Sequence, residues 1–559
     1  MVYTSSRVAA GVLAAVLFCV SLPAAVSADA AGDEAATAAY LTSIRNAPDR
    51  LAEFFSALPK GADLHNHASG AVYAEDYLAW AQRDDGCYDA KSYRLTYRPA
   101  PQPTPLPTPQ PSTPSVAQPA APPAALPTSP AAPACAPGTL PIADGVAGDP
   151  NFGKYVVGAL SMANFVPTTP TAGHDHFFAT FALFGSVADA HRAGVVAAAT
   201  SDAARQHVGV LELMVSAASN ETWQLASRFG SAGNPAFSKK DFAADGAVLD
   251  RDGGFASAVA AGKKQLADLD AGRRALLHCG TAQPDPGCAV DVHYILQVNR
   301  VSPAPYVFAQ TRVGLTIASD PGSRAVGINY VAPEDNPVAV GDYALHMQIV
   351  RYLHKERPAA RVSLHAGELT PLLVKPDALR DHVRTAVEVA GAARIGHGVD
   401  VLGEVNAEQL LREMAARHTL VEIALTSNDV ILNVRGAAHP LPAYVRHDVP
   451  VALVTDDPGV SRSDLSHEFL RAETTYAFPY ATLKRFVRNS VEYAFLAGGS
   501  LWAGPSYAHR VAACEPAAAG GPPPAACTRY LAANPRAAAQ FKLEAELRAF
   551  ESAMARKTR

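Results

Sequence analysis

Short apolar runs bounded by Gly, Pro, Asn or Asp alternate along most of this chain with stretches whose apolar residues recur every three or four positions. The runs predict strands over residues 61–67, 208–214, 291–299, 325–331, 361–365, 393–397, 419–424 and 451–455, with helical patterns between most of them, as over 379–391 and 406–417. Strands alternating with helices predict an α/β chain, a parallel (β/α)8 barrel of the TIM type, over residues 59–510. A helical lead-in over 29–58 carries Leu41, Ile44, Leu51, Phe54 and Phe55 at helical spacing, and 511–559 reads as a C-terminal disulfide loop followed by a helix. The pattern stops over 99–137, where Pro, Ala, Thr, Ser and Gln dominate. That composition cannot bury a core. It is expected to be extended or disordered, a passive linker within a low-complexity insertion over about 85–150 after the first strand.

The 559 residues, 49% of them hydrophobic, allow a sizeable core. Residues 1–28 read as a secretory signal: Arg7, an apolar run over 8–20, and Val26-Ser27-Ala28 in the small-residue pattern that a signal peptidase cuts. The mature chain is therefore expected in the periplasm or secreted. Without Cys19, six cysteines remain, an even count that points to disulfides in an exported chain. Sequential pairing is preferred, because each close pair brackets a loop rich in Pro or Gly. None has Cys-x-x-Cys spacing, which argues against a cysteine-ligated metal. The formal net charge of −5 becomes −6 once the signal and its one Arg are removed, and no basic block tracks a phosphate backbone. Nucleic acid and, after signal removal, membrane are not expected partners; a small or neutral substrate is. The oligomeric state is not legible.

The chemistry concentrates where predicted strands end. His65 and His67 sit two apart on a strand, so both imidazoles share one face. His365 and Asp456 end two other strands and complete a set of three imidazoles and a carboxylate, which suits one Zn²⁺ per chain. Glu368, three residues past His365, lies beyond the strand end, where a shielded carboxyl can deliver a proton. His397, between Gly396 and Gly398, can orient or deprotonate a water. Asp457 adjoins Asp456, and a cation on Asp456 would relieve their repulsion and leave Asp457 facing a substrate. His174, His176, His439 and His467 lack this strand-end placement and are read as structural or supporting; His174 and His176 precede Phe177, Phe178 and Phe181 on an expected helix at the barrel mouth.

Taken together, the fragments resemble the adenosine deaminase family of metal-dependent hydrolases. Leu64-His65-Asn66-His67-Ala68-Ser69-Gly70-Ala71, His365-Ala366-Gly367-Glu368, Arg394-Ile395-Gly396-His397-Gly398, Ser427-Asn428 and Thr455-Asp456-Asp457-Pro458 are similar to its motifs, in order, across most of 58–500. Gly327-Ile328-Asn329-Tyr330-Val331-Ala332-Pro333-Glu334-Asp335 and Leu465-Ser466-His467-Glu468-Phe469 look closest to the secreted, growth-factor-like branch, whose N-terminal dimerisation domain has no counterpart in the short lead-in. The resemblance implies that His65, His67, His365 and Asp456 hold zinc. It implies that Glu368 protonates purine N1, that His397 orients or deprotonates the attacking water, that Asp457 faces N7 and that the Ala332 N–H faces N3. Ser69 stands where most cytosolic members have an Asp that contacts the ribose, Ala332 where Gly is usual, and Asn329 where Asp is usual. These departures touch substrate recognition rather than the zinc set or the acid–base pair. The implied activity is an exported adenosine or 2′-deoxyadenosine deaminase. A deaminase of a modified adenine compound and a non-catalytic binding protein on the same barrel are the alternatives, and an AMP-specific enzyme is disfavoured by the lack of an added Arg/Lys cluster.

Overall fold

The computed structural model describes residues 30–97, 135–515, 517 and 521–558. Eight parallel strands make one sheet in chain order: β1 Gly61–His67, β2 Val208–Val215, β3 Asp291–Asn299, β4 Ala325–Val331, β5 Arg361–Ala366, β6 Arg394–His397, β7 Leu420–Ile423 and β8 Val451–Leu453. The sheet closes on itself through residues just beyond β8. The Asp456 N–H donates to the His65 carbonyl and the His67 N–H to the Asp456 carbonyl, each at 2.8 Å. Closure thus binds two expected metal ligands of β1, His65 and His67, to another, Asp456, just beyond β8. The near-continuous burial of the strands fits a sheet covered on both faces, and their apolar runs supply the core with Leu64, Ile295, Ile328, Leu364, Ile395, Val421 and Leu453.

The expected strands are present within two residues at each end. The lead-in is two helices, Ala30–Ile44 and Pro48–Ala57, because Pro48 lacks the N–H to continue the first and opens the second. The helix expected over 379–391 is divided. Pro376–Leu379 makes a tight turn, and the Glu404 carboxylate accepts from the Val383 and Arg384 N–H groups, so that a fresh helix starts at His382. The insertion is more than a linker at its flanks. Cys87–Asp89 pairs antiparallel with both Leu95–Thr96 and Thr139–Pro141, and Tyr88 packs edge-on against Phe152 at 4.7 Å. The low-complexity stretch itself and the expected signal lie outside the described residues, apart from a short overlap at 135–137. The cysteines pair sequentially, Cys87–Cys135, Cys279–Cys288 and Cys514–Cys527. Among the described residues no helix is long and apolar enough to cross a membrane.

Candidate metal centre and active site

The barrel brings His65, His67, His365 and Asp456 together, with one ligand atom of each within 4.8 Å of the others. His65 Nε2 and His67 Nε2 stand 3.1 and 3.3 Å from His365 Nε2, and each is 3.3 Å from Asp456 Oδ1. Donors ~2.0–2.1 Å from a shared ion stand roughly 3 Å or more from their neighbours, so these four spacings suit a zinc-sized ion. The opposite face of each imidazole agrees. His65 Nδ1 lies 2.8 Å from Glu422 Oε2 and His365 Nδ1 lies 2.8 Å from Asn329 Oδ1. Both Nδ1 atoms therefore carry the proton and both Nε2 lone pairs point to one centre. The Gln297 amide lies 2.9 Å from His67 Nδ1 and 3.0 Å from Ser216 Oγ. For His67 to offer Nε2 as well, the Gln297 oxygen faces its Nδ1–H and the nitrogen faces Ser216. The other Asp456 oxygen accepts from Ser427 Oγ at 2.5 Å. His, His, His and carboxylate is a donor set that suits zinc.

Around this set stand the other predicted groups. Glu368 is buried, and desolvation, with the Asp456 carboxylate next in weight, pushes it up to about 8. Its backbone N–H and that of Gly367 donate to the Glu334 carboxylate at 2.9 and 3.1 Å, which fixes the turn after β5. Asp457 is held well above the usual carboxylate range by burial and by Asp456 beside it. A cation on Asp456 acts in the opposite direction on both. The Asp457 Oδ1 and His397 Nε2 atoms are buried without a hydrogen-bond partner. Such orphaned polar atoms await a ligand or water.

The His397 tautomer is fixed from a distance. The Leu441 backbone N–H, which can only donate, points to His439 Nδ1 at 3.1 Å. His439 therefore carries its proton on Nε2 and donates to Asn428 Oδ1 at 3.0 Å. The Asn428 nitrogen in turn donates to His397 Nδ1 at 3.0 Å. Neutral His397 then presents Nε2–H to the site, 3.6 Å from Glu368 Oε1. Burial pulls His397 down to about 4, which keeps it neutral. Of the two roles left open by sequence, orienting a water by donation fits this arrangement and abstracting a proton does not.

A chamber of about 370 Å³ opens on these groups, with His67, Glu368, Asp456 and Asp457 at its polar end and Phe177, Phe178, Phe181, Val331, Pro333 and Ile431 as apolar walls. Ala332 and Ser69 also line it. Ala332, His397 and Asp456 all have positive φ, 81°, 68° and 62°. Non-glycine residues in this region cost about 1–3 kcal/mol each and concentrate where a site demands them. His174 and His176 ride the helix Ala172–Ala190 that carries the three Phe residues to the mouth. His174 pairs with Asp335, and His176 Nε2 lies against the carbonyls of Gly158 and Ser161.

Several supporting residues escaped sequence reasoning. Glu422, Gln297 and Arg300 are polar positions in or just after apolar strand runs, the only signal they give. Arg300 donates to the carbonyls of Ala332 and His365 at 2.8 and 3.1 Å and so ties β3 to both halves of the site. Gly70 has a packing role: a Cβ there would lie 1.5 Å from Asp457 Oδ1.

A closed parallel barrel whose C-terminal strand ends gather three imidazoles, a carboxylate and a buried acid has the layout of a metal-dependent hydrolase. Residues 276–500 match the family model for adenosine deaminase. The adenosine deaminase of Shewanella loihica is 34% identical over 136 residues, 24% of this chain and 38% of that protein. The adenosine deaminase of Yersinia pseudotuberculosis is 31% identical over 149 residues, 26% of this chain and 41% of that one. The chain thus spans about two-fifths of the curated relatives it matches. Among solved structures, the N6-methyl-AMP deaminase of Arabidopsis thaliana shares 16% identity at a TM-score of 0.45, over 80% of this chain and 94% of that one. By its matched residues, this chain is similar to the adenosine deaminase family over residues 276–500.

Proposed function

We propose that the chain is an exported, zinc-dependent deaminase of adenosine or 2′-deoxyadenosine, which releases the 6-amino group as ammonia and leaves the 6-oxo purine nucleoside. The observation that carries this reading is the convergence of His65, His67, His365 and Asp456 on one centre beside a buried Glu368 pushed up to about 8. When bound, zinc supplies Lewis acidity that brings the pKa of water toward ~7.

The protein's own groups account for the rest. The apolar walls take the purine faces and exclude water. Glu368, protonated near neutrality, gives its proton to N1, which makes C6 more electrophilic as water adds there. The His397 N–H donates to that water's oxygen and fixes its approach. Asp457, its Oδ1 buried without a partner, faces N7. The proton from Glu368 stays on N1 of the 6-oxo product; of the two protons the water gives up, one joins the amine, which leaves as ammonia, and the other restores Glu368. The test is ammonia release from adenosine by the mature protein, with and without a zinc chelator, beside the Glu368→Gln variant. Chelator-sensitive release is expected, and Glu368→Gln should lose at least ~10²-fold in kcat, the scale of a general acid, while keeping its metal. An active Glu368→Gln variant refutes the assigned role.

A further inference from the structure

The catalytic chamber does not end at the nucleoside. A second cavity, of about 540 Å³, is lined by two of the same side chains, Ser69 and Gln297, so the two spaces lie against each other there. A volume of 370 Å³ already falls in the range of about 300–1,000 Å³ that holds a small ligand. The second cavity is therefore room for something beyond a nucleoside. A purine whose C6 edge faces Glu368 and the metal ligands must direct its N9 substituent away from them, and Ser69 and Gln297 are the lining residues that the chamber shares with the second cavity.

The second cavity differs in chemistry. Its charged lining residues are Asp189, Glu221 and one cation, Arg192. Arg192 already donates to the Ser216 carbonyl. Two carboxylates around one engaged guanidinium leave a net negative lining, which repels a phosphate and attracts an ammonium group. Ser216, Gln297 and Gln265 add neutral hydrogen-bonding groups. The cavity is also connected to the metal site, since the Ser216 hydroxyl meets the Gln297 amide that holds His67.

Resting on the deaminase reading above, we propose that this second cavity is a substrate subsite and that the preferred substrate is an adenine nucleoside extended at the sugar's 5′ end by a polar group bearing an ammonium. Asp189 and Glu221 receive the ammonium, and an accompanying carboxylate falls to Arg192.

The experiment compares kcat/KM of the zinc-loaded mature protein for adenosine, 5′-amino-5′-deoxyadenosine, S-adenosyl-L-homocysteine and AMP. The two ammonium-bearing compounds are expected to exceed adenosine at least tenfold, with AMP below it. The double variant Asp189→Asn, Glu221→Gln should lower the ratio of S-adenosyl-L-homocysteine to adenosine at least tenfold. If adenosine is turned over as well as the extended compounds, or AMP is best, or the double variant leaves the ratio unchanged, the subsite is refuted and the deaminase reading stands. If a zinc-loaded protein turns over none of the four, the deaminase reading falls and the subsite falls with it.

Discussion

Replacing Arg394 with Met should destabilise the barrel and loosen its metal together. Arg394, on β6, is 1% exposed. One guanidinium nitrogen lies 2.7 Å from Glu212, and Nε lies 2.6 Å from Glu422; both carboxylates are fully buried. The Nε–H finds no aligned acceptor, so the contact with Glu422 is ionic rather than a directed hydrogen bond. The guanidinium also stacks on Phe495 at 3.6 Å from the ring centroid and donates to the Tyr493 carbonyl at 3.0 Å. Removing the cation strands two buried carboxylates, and breaking such a pair costs about 3–5 kcal/mol. At the lower end of about 2–4 °C per kcal/mol, the unfolding temperature falls on the order of 5–10 °C. The functional effect runs through Glu422. Burial works to raise its pKa, but Arg394, first among its favourable partners, and the His65 hydrogen bond hold it below the usual range. Without Arg394 it takes a proton and no longer offers His65 Nδ1 a charged acceptor. Loss of such an outer partner typically costs ~10–100-fold in metal affinity. Thermal unfolding of the metal-stripped protein reads the first effect, and competition with a chromophoric chelator reads the second. Glu422→Gln separates them, since it removes the charged acceptor but leaves Arg394 paired with Glu212: similar metal loss, smaller stability loss. An Arg394→Met protein that unfolds at the parental temperature, or one destabilised with zinc affinity intact, refutes the coupling.

Three further outcomes follow from the geometry. Gly70→Ala pushes Asp457 aside, because the new Cβ would stand 1.5 Å from its Oδ1. A displacement of about 1 Å can cost ~10²-fold, so kcat/KM should fall on that scale while metal content by elemental analysis is unchanged; undiminished activity would remove Asp457 from the site. His439→Leu breaks the chain from Leu441 to His397 and should lower kcat about tenfold, less than the ~10²-fold of losing a proton-transfer group outright, with ¹⁵N shifts showing His397 as a mixture of tautomers; a single unchanged tautomer refutes the relay. His346 is buried with both ring nitrogens unpartnered, and burial pulls it from 6.5 to about 4. It stays neutral in the folded state, so its stability contribution is whole above pH 6.5 and lost as pH falls toward 4, by about 3 kcal/mol in all. Urea midpoints of the metal-stripped protein should therefore drop across this window, and His346→Leu should flatten the slope; an equal slope in the variant assigns the acid sensitivity elsewhere.

What could be read from the chain and what could not divide along physical lines. The barrel was legible because strand runs and helical patterns are local, and because His65, His67, His365, His397 and Asp456 all fall at strand ends, which closure then brings to one face. The supports were not legible, because each makes sense only through a partner distant in sequence. Glu422 reads as a stray charge in a four-residue apolar strand until Arg394 and His65 are seen beside it. The glycines show the same thing more sharply. Gly396 and Gly398 flank His397, and nothing near them in sequence says why both are glycine. Both leave room for others: a Cβ on Gly396 would stand 2.6 Å from the His65 ring, and one on Gly398, which also has a φ of +57°, would stand 2.4 Å from the Tyr444 hydroxyl. His439 makes the point from the other side. Sequence reads it as structural or supporting without saying what it supports; its proton, fixed by one backbone N–H, decides which nitrogen His397 turns to the site. Ligands can be found from their own neighbourhoods. The direction of a hydrogen bond is set by everything behind it, and only the folded arrangement supplies that.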